Sequence, residues 1–445
     1  MQKSLKIAVV GSGLVGSLLS IYLKKQGHTV HVFDRSSDIR TINFSGRSIN
    51  LAMSHRGWKA LDDAGIGDEI RKIAIPMEKR AIHLVDSLNF QQYGKNGENI
   101  YSISRGVLNR KMIDLAEQSG VEFLFNQKIW DVDLASATLH IGETERGEWT
   151  DLKYDMVFGA DGAFSRIRHR MQRQSRFNYS QDFLNTGYKE LNIPANADGS
   201  HKLDKNSLHI WPRGNYMLIA LPNLDGSFTC TLFMPFEGQN SFESLTTRSE
   251  VEAFFIKNMP DTLEVIPDLA TDFFKNPTST LLTMKCYPWT FENKIALIGD
   301  ACHAMVPFYG QGMNAGFEDI TILNQLIEKY ADDWETIFSE YQISRKPNAD
   351  AISELSYQNF MEMSTKTADP KFILQKKIEK HFSDKYPDKW TPLYSRVTFS
   401  LEPYQEALAM GTVQDQIMKQ VLEIENIENI WNSEHVEQKI LELLQ

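Results

Sequence analysis

An α/β fold carrying an inserted antiparallel sheet and a helical C-terminal region is predicted by three features of this 445-residue chain. The first 34 residues read as strand, glycine turn, helix and strand. Residues 206–235 hold short runs rich in aromatic and β-branched side chains, and helical spacing takes over from about residue 340.

The elements follow in chain order. LKIAVV at 5–10 is a short apolar run, and GSGLVGSLLSIYLKKQG leads from it into TVHVFD at 29–34, one βαβ unit. YDMVFGADG at 154–162 reads as a buried strand ending in a turn. KIALIGDACHAM at 294–305 reads the same way and precedes a helical pattern from about Gly312 to Tyr330. Between these two lie NSLHIWP, NYMLIALP and SFTCTLFMP, separated by Gly, Pro, Asn and Asp turns, as expected of an antiparallel sheet. Residues 414–444 place Ile417, Val421, Ile424, Ile427 and Trp431 at helical spacing, with Glu423, Glu425, Glu428, Glu434 and Glu437 as the acidic side of an amphipathic helix. The expected division is a discontinuous dinucleotide-binding domain (1–75, 100–180 and 285–340), a substrate-binding sheet domain (76–99 and 181–284) and a C-terminal helical region (341–445).

Composition narrows the function classes. With 47 basic and 58 acidic residues the net charge is −11, which excludes phosphate-backbone binding as the main task; a bound anion must meet local donors. Cys230, Cys286 and Cys302 form no CxxC pair or close Cys/His set of the spacing a zinc site uses, so no metal site is expected, and reduced thiols in a cytoplasmic protein are the simplest reading. No uncharged run reaches the roughly 18 to 20 residues of a membrane span.

Gly11, Gly13 and Gly16 stand as GxGxxG between strand and helix, the Rossmann-like arrangement in which backbone approaches a pyrophosphate at a helix N-terminus. Asp34 ends the next strand, where a carboxylate can accept hydrogen bonds from a ribose. Asp161 and Gly162, then Gly299 and Asp300, end two later strands, and Gly310 to Asn314 bring free backbone N–H groups to a helix start. No second GxGxxG opens a later unit, which favours a single resident dinucleotide.

In this order and over this length, GSGLVG, GADGAFSRIR and IGDACHAMVPFYGQGMNAGFED resemble the FAD-dependent aromatic hydroxylases, the single-component flavoprotein monooxygenases. The resemblance implies a tightly bound, non-covalent FAD, NADPH as co-substrate, and oxygen transfer from a C4a-hydroperoxyflavin. GRSINLAMSHRG, GYKEL, LHIWPRGNYMLIALPNLDGSFTCTLF and PLYSRVTFS carry it further, to hydroxylation of L-kynurenine to 3-hydroxy-L-kynurenine. It implies that Arg80 pairs with the substrate carboxylate and that Tyr93, Asn359 and Tyr394 hydrogen-bond the substrate. Arg35, Ala52, Arg105, Ile129, Asp300, Gly312, Met313 and Asn314 then contact FAD, with Asp161 where FAD and NADPH meet. Pro307, Phe308 and Tyr309 wall the oxygen-transfer side. No obligate acid/base residue is expected, because the amino group ortho to the reacting carbon already activates the ring, and His303 is read as structural or flavin-side. The competing readings are an FAD hydroxylase of another aromatic compound, a flavin-dependent reductase, and a binding module like the GDP-dissociation inhibitors. A homodimer is compatible with the pattern, and the acidic C-terminal stretch suits packing over the substrate entrance or against a second subunit better than an anionic bilayer.

Overall fold

A computed structural model describes residues 3–41, 49–94, 97–142, 148–362 and 369–444; the start of the GRSINLAMSHRG match, before Ile49, lies outside them. The glycine turn and the βαβ unit build a six-stranded sheet. Its order is Thr290–Phe291, Ile295–Leu297, Met156–Gly159, Lys6–Val10, Thr29–Phe33 and Glu122–Leu124. All neighbours are parallel except the first pair. Ile7, Ala8 and Val9 are fully buried, as are Val157, Phe158 and Ile295 to Leu297, in a core shared with the helix Leu14–Lys25 and with a three-stranded antiparallel sheet of Ile129–Asp133, Thr138–Ile141 and Thr150–Lys153. The C-terminal ends of three of these strands bring Gly11, Ala160 and Gly299 to one edge. Ligands of open α/β sheets bind along that edge.

The second sheet has seven strands, in the order Ser279–Tyr287, Asn178–Ile193, Phe228–Pro235, Tyr216–Pro222, Ser207–Arg213, Lys79–His83 and Leu88–Gln92. Its pairs are antiparallel except Ser207–Arg213 with Lys79–His83, so the segment holding Arg80 joins the sheet from far upstream. Alternation along Lys79–His83 sends Arg80 and Ile82 to the cavity face and Ala81 and His83 to the other. Trp211, Leu218, Phe228 and Leu232 pack that other face against Phe255 and Phe273. Each such burial contributes about 1.5–3 kcal/mol.

The C-terminal region is helical, as expected. Residues 414–444, however, form three pieces, the end of Tyr404–Val421, then Ile427–Ile430 and Glu434–Leu443. They share a small core of Phe382, Trp390, Met418, Val421 and Ile440 with the helix Pro370–Lys385. Glu437, expected on the acidic side of an amphipathic helix, packs inward on this chain's own helices. It is 2% exposed and accepts from His381 Nε2 at 2.9 Å, Lys385 Nζ at 2.5 Å and the Tyr386 hydroxyl at 3.3 Å. Burial alone would raise its carboxyl; these donors, Lys385 foremost, hold it below the ordinary value. The far side of Pro370–Lys385 turns Phe372, Ile373 and Lys376 toward the large cavity. No described helix is long and apolar enough to cross a membrane.

Candidate active site

A cavity of about 2000 Å³ runs from the strand ends of the first sheet to the face of the second. At its flavin-type end, Gly11 takes φ +109° and donates its N–H to Phe33 O at 2.7 Å. A Cβ there would come within 2.4 Å of Ala160 O, and one at Gly16 within 1.9 Å of Gly11 O, whereas one at Gly13 would meet nothing within 4 Å. Gly16 thus serves packing between helix and turn, and Gly13 opens onto the cavity. Asp34 is aimed by the turn itself. Its Oδ2 accepts from Ser12 N at 2.9 Å and Ser12 Oγ at 2.7 Å, and its Oδ1 from Ser36 N at 2.8 Å. Arg35, Ala52, Arg105 and Ile129 line the same stretch.

Two further strand ends complete this end. Asp161 Oδ2 accepts from Arg166 N at 2.6 Å, while Oδ1 is buried without a partner, and burial pushes the carboxyl up. Asp300 starts the one-turn helix Asp300–His303 and is exposed into the cavity. The helix Gly312–Tyr330 begins beside it, with Gly312 and Met313 on the wall. An uncovered glycine turn, two helix N-termini, a ribose-height aspartate and an orphaned buried acceptor are what an adenine dinucleotide with a polyol chain needs, and FAD fits them. Asn314 lies behind the wall. It is fully buried, accepting from Ser54 N at 2.9 Å and donating to Ala52 O and Gly310 O, both at 2.9 Å, so its side chain shapes the loop.

The other end is made of side chains from four distant segments. The Arg80 guanidinium lies 4.9 Å from the Tyr93 ring centre and 4.4 Å from that of Tyr394. The two tyrosines stack at 5.5 Å, and Tyr309 stacks on Tyr394 at 5.6 Å. Tyr93 backs Arg80 rather than facing the cavity, and its hydroxyl is buried without a hydrogen-bond partner. Burial works against the charge on Arg80, yet the facing Tyr394 and Tyr93 hold it above its ordinary value. Among the described residues no carboxylate pairs with it. Asn359 Nδ2 donates to Phe308 O at 2.7 Å. Phe308 stacks on Phe360 at 4.4 Å and meets Phe233 at 4.9 Å, and with Pro307, Met217, Ile219 and Leu281 it makes a dry wall.

The family model described as an FAD binding domain matches residues 4–356. A kynurenine 3-monooxygenase of Flavobacterium johnsoniae is 80% identical over 445 residues, covering 100% of both chains. One of Flavobacterium psychrophilum is 76% identical over 444 residues, covering 100% of this chain and 99% of the relative. The chain belongs to the kynurenine 3-monooxygenase family of FAD-dependent hydroxylases. A tetrameric 2-methyl-3-hydroxypyridine-5-carboxylic acid oxygenase shares the fold, with a TM-score of 0.68 at 20% identity, over 84% of this chain and 96% of that one.

As a kynurenine 3-monooxygenase family member the chain is an FAD-dependent monooxygenase, and reading the residues singly misses how its flavin end is held. Asp319, Arg345, Glu318 and Arg56 form a buried ion network with His303, and no local motif announces it. Cys302, His303 and Asp319 could converge on one ion by distance, their ligand atoms lying within 4.8 Å. The donor set does not suit a metal. Asp319 is already taken by Arg345, and burial drives the Cys302 thiol well above its ordinary value, away from thiolate. Glu362 and Lys376 at the cavity mouth were also not singled out from the sequence.

Proposed function

We propose that the chain hydroxylates L-kynurenine to 3-hydroxy-L-kynurenine, consuming NADPH and O2, in the cytoplasm. One observation carries the substrate reading: Arg80, a half-buried cation with no carboxylate partner among the described residues, lies against two stacked tyrosine rings at the end of an apolar, aromatic pocket that opens on the flavin site. An amino acid bearing an aromatic ring answers both features. Its carboxylate neutralises Arg80, a charge-assisted contact that Arg geometry favours. Its ring lies along Phe308, Met217 and Phe233, toward Pro307–Tyr309.

FAD, when bound, takes hydride from NADPH and delivers one oxygen atom from O2 to the ring. Gly13, Asp34, Arg35, Arg105, Asp161, Asp300, Gly312 and Met313 would hold it. The remaining steps fall to the chain. Arg80 and Tyr394 would anchor the amino-acid end of the substrate, and the wall of Phe308, Phe233 and Leu281 would keep water from the reacting atoms. No side chain needs to remove a proton before oxygen transfer, since the ring amino group supplies electrons. His303, 2% exposed and bonded to Asp319, is sequestered from the substrate.

The test follows NADPH oxidation by the purified yellow protein with and without L-kynurenine, with mass analysis of products. Stimulation by kynurenine with a product one oxygen heavier is expected. Equal NADPH consumption in both samples and no heavier product would overturn the substrate reading. A colourless protein that binds no added FAD would overturn the flavin chemistry as well.

A further inference from the structure

The helix Asp300–His303 is one turn long, and a single turn costs several fixed torsions for very few hydrogen bonds. It must nevertheless present Asp300 to the cofactor at a constant place. Both of its ends are tied to one carboxylate. Asp319 Oδ2 accepts the backbone N–H of Gly299, just before Asp300, at 3.2 Å, and the Nε2–H of His303, which closes the turn, at 2.5 Å. Asp319 Oδ1 accepts from Arg345 Nε at 2.7 Å. Arg345 also pairs with Glu318 at 2.7 Å, and Glu318 with Arg56. Asp319 and the Arg56 side chain are 0% exposed, and the Arg345 side chain is 4% exposed.

Charges buried this deeply are seldom the cheapest route to stability, since well-packed apolar side chains of similar volume do as well or better. What such a network supplies is geometry. Burial alone would strip the proton from His303, and the Asp319 carboxylate reverses that, keeping the ring in the form that donates.

We infer that Asp319 is a positioning residue for the cofactor: by clamping both ends of the Asp300 turn it sets the grip on the flavin. Arg345 extends this clamp toward the substrate wall. The same helix, Trp334–Met361, carries Asn359, which holds the Phe308 carbonyl. The fourteen steps from Arg345 to Asn359 span about 21 Å of helix. One helix, with Pro347 inside it, thus links the flavin clamp to the oxygen-transfer wall.

Two variants test this on full-length protein stripped of FAD and titrated back by flavin fluorescence. Asp319→Asn puts an N–H where an acceptor is required, and His303→Gln replaces the charge-assisted bond at one end of the turn with a neutral one. Loss of charge-assisted bonds should raise the FAD dissociation constant about thirtyfold in the first and about tenfold in the second. The deciding readout is taken at saturating FAD. Both variants should then show altered visible circular dichroism and an altered reduction potential of the bound flavin, because Asp300 sits differently. A variant that has only lost fold stability would, once saturated, show the parent spectrum and potential, and that result would overturn the inference. Should Asp319→Asn fail to fold, His303→Gln decides by the same criterion.

Discussion

The two ends of the cavity are built from different material. The flavin end is made of backbone: a glycine turn, three strand ends and helix N-termini, with Asp34 held by the N–H groups of Ser12 on the glycine turn and of Ser36, and Asp161 by that of Arg166. The substrate end is made of side chains, in which Arg80, Phe308, Asn359 and Tyr394 meet from segments spread over more than 300 residues. Backbone sites tolerate little change in shape and carry little substrate information. Side-chain sites can be rewritten without disturbing the cofactor, which explains how a common frame serves different aromatic substrates.

The contrast breaks most sharply at Gly16. Gly16→Val places branched carbon where a single Cβ already falls 1.9 Å from Gly11 O, so the turn cannot close. Expression should give protein without bound FAD or no folded protein at all, read by absorbance and circular dichroism. Arg80→Ala probes the other end. The KM for L-kynurenine should rise about a hundredfold, as expected for losing a largely desolvated charge pair, with FAD content unchanged. Equal losses of FAD and substrate affinity would erase the distinction between the two ends.

A smaller effect is expected at the wall. Phe308→Ala removes the ring that stacks on Phe360 and faces Phe233, admitting water beside the reacting atoms. Kynurenine-stimulated NADPH oxidation should persist within a few-fold, while the fraction yielding hydrogen peroxide instead of hydroxylated product rises. The smallest effect concerns His303. Its pKa is raised in the fold above 6.5 by Asp319 against the pull of burial, so its stabilising contribution is complete below pH 6.5 and is lost as pH climbs through the raised value. The melting temperature of the holoenzyme should therefore fall more steeply above pH 7 than that of His303→Gln, by a few degrees.

The same contrast governs what could be read from the chain. The flavin end was legible because each of its parts is local. GxGxxG, Asp34, Asp161 and Gly299–Asp300 each sit within a few residues of a strand end, and their spacing follows from backbone geometry. Local reading of Arg80, Tyr93, Asn359 and Tyr394 gave only amphipathic or surface residues; resemblance to a family singled them out, since nothing in their neighbourhoods says they meet. The network of Arg56, Glu318, Arg345, Asp319 and His303 was missed for a related reason, as Arg56 and Glu318 lie 262 residues apart. Glu437 failed in the opposite direction. Acidic residues at helical spacing read as one side of an amphipathic helix suited to the substrate entrance or a second subunit, but this one packs onto Pro370–Lys385 and is met there by three donors. Tyr309, expected as a wall residue, is stacked on Tyr394, and burial raises its phenol far above the ordinary value, so it stays protonated.

The central claim is that the arginine-anchored pocket delivers the kynurenine ring to a flavin that transfers oxygen from O2. The most direct measurement is a turnover under ¹⁸O2 with L-kynurenine and NADPH, followed by mass spectrometry of the product. Incorporation of one ¹⁸O atom into 3-hydroxy-L-kynurenine, with NADPH consumed in proportion, is the expected result. Product bearing only oxygen from water, or NADPH oxidised to yield hydrogen peroxide alone whether or not kynurenine is present, would contradict it.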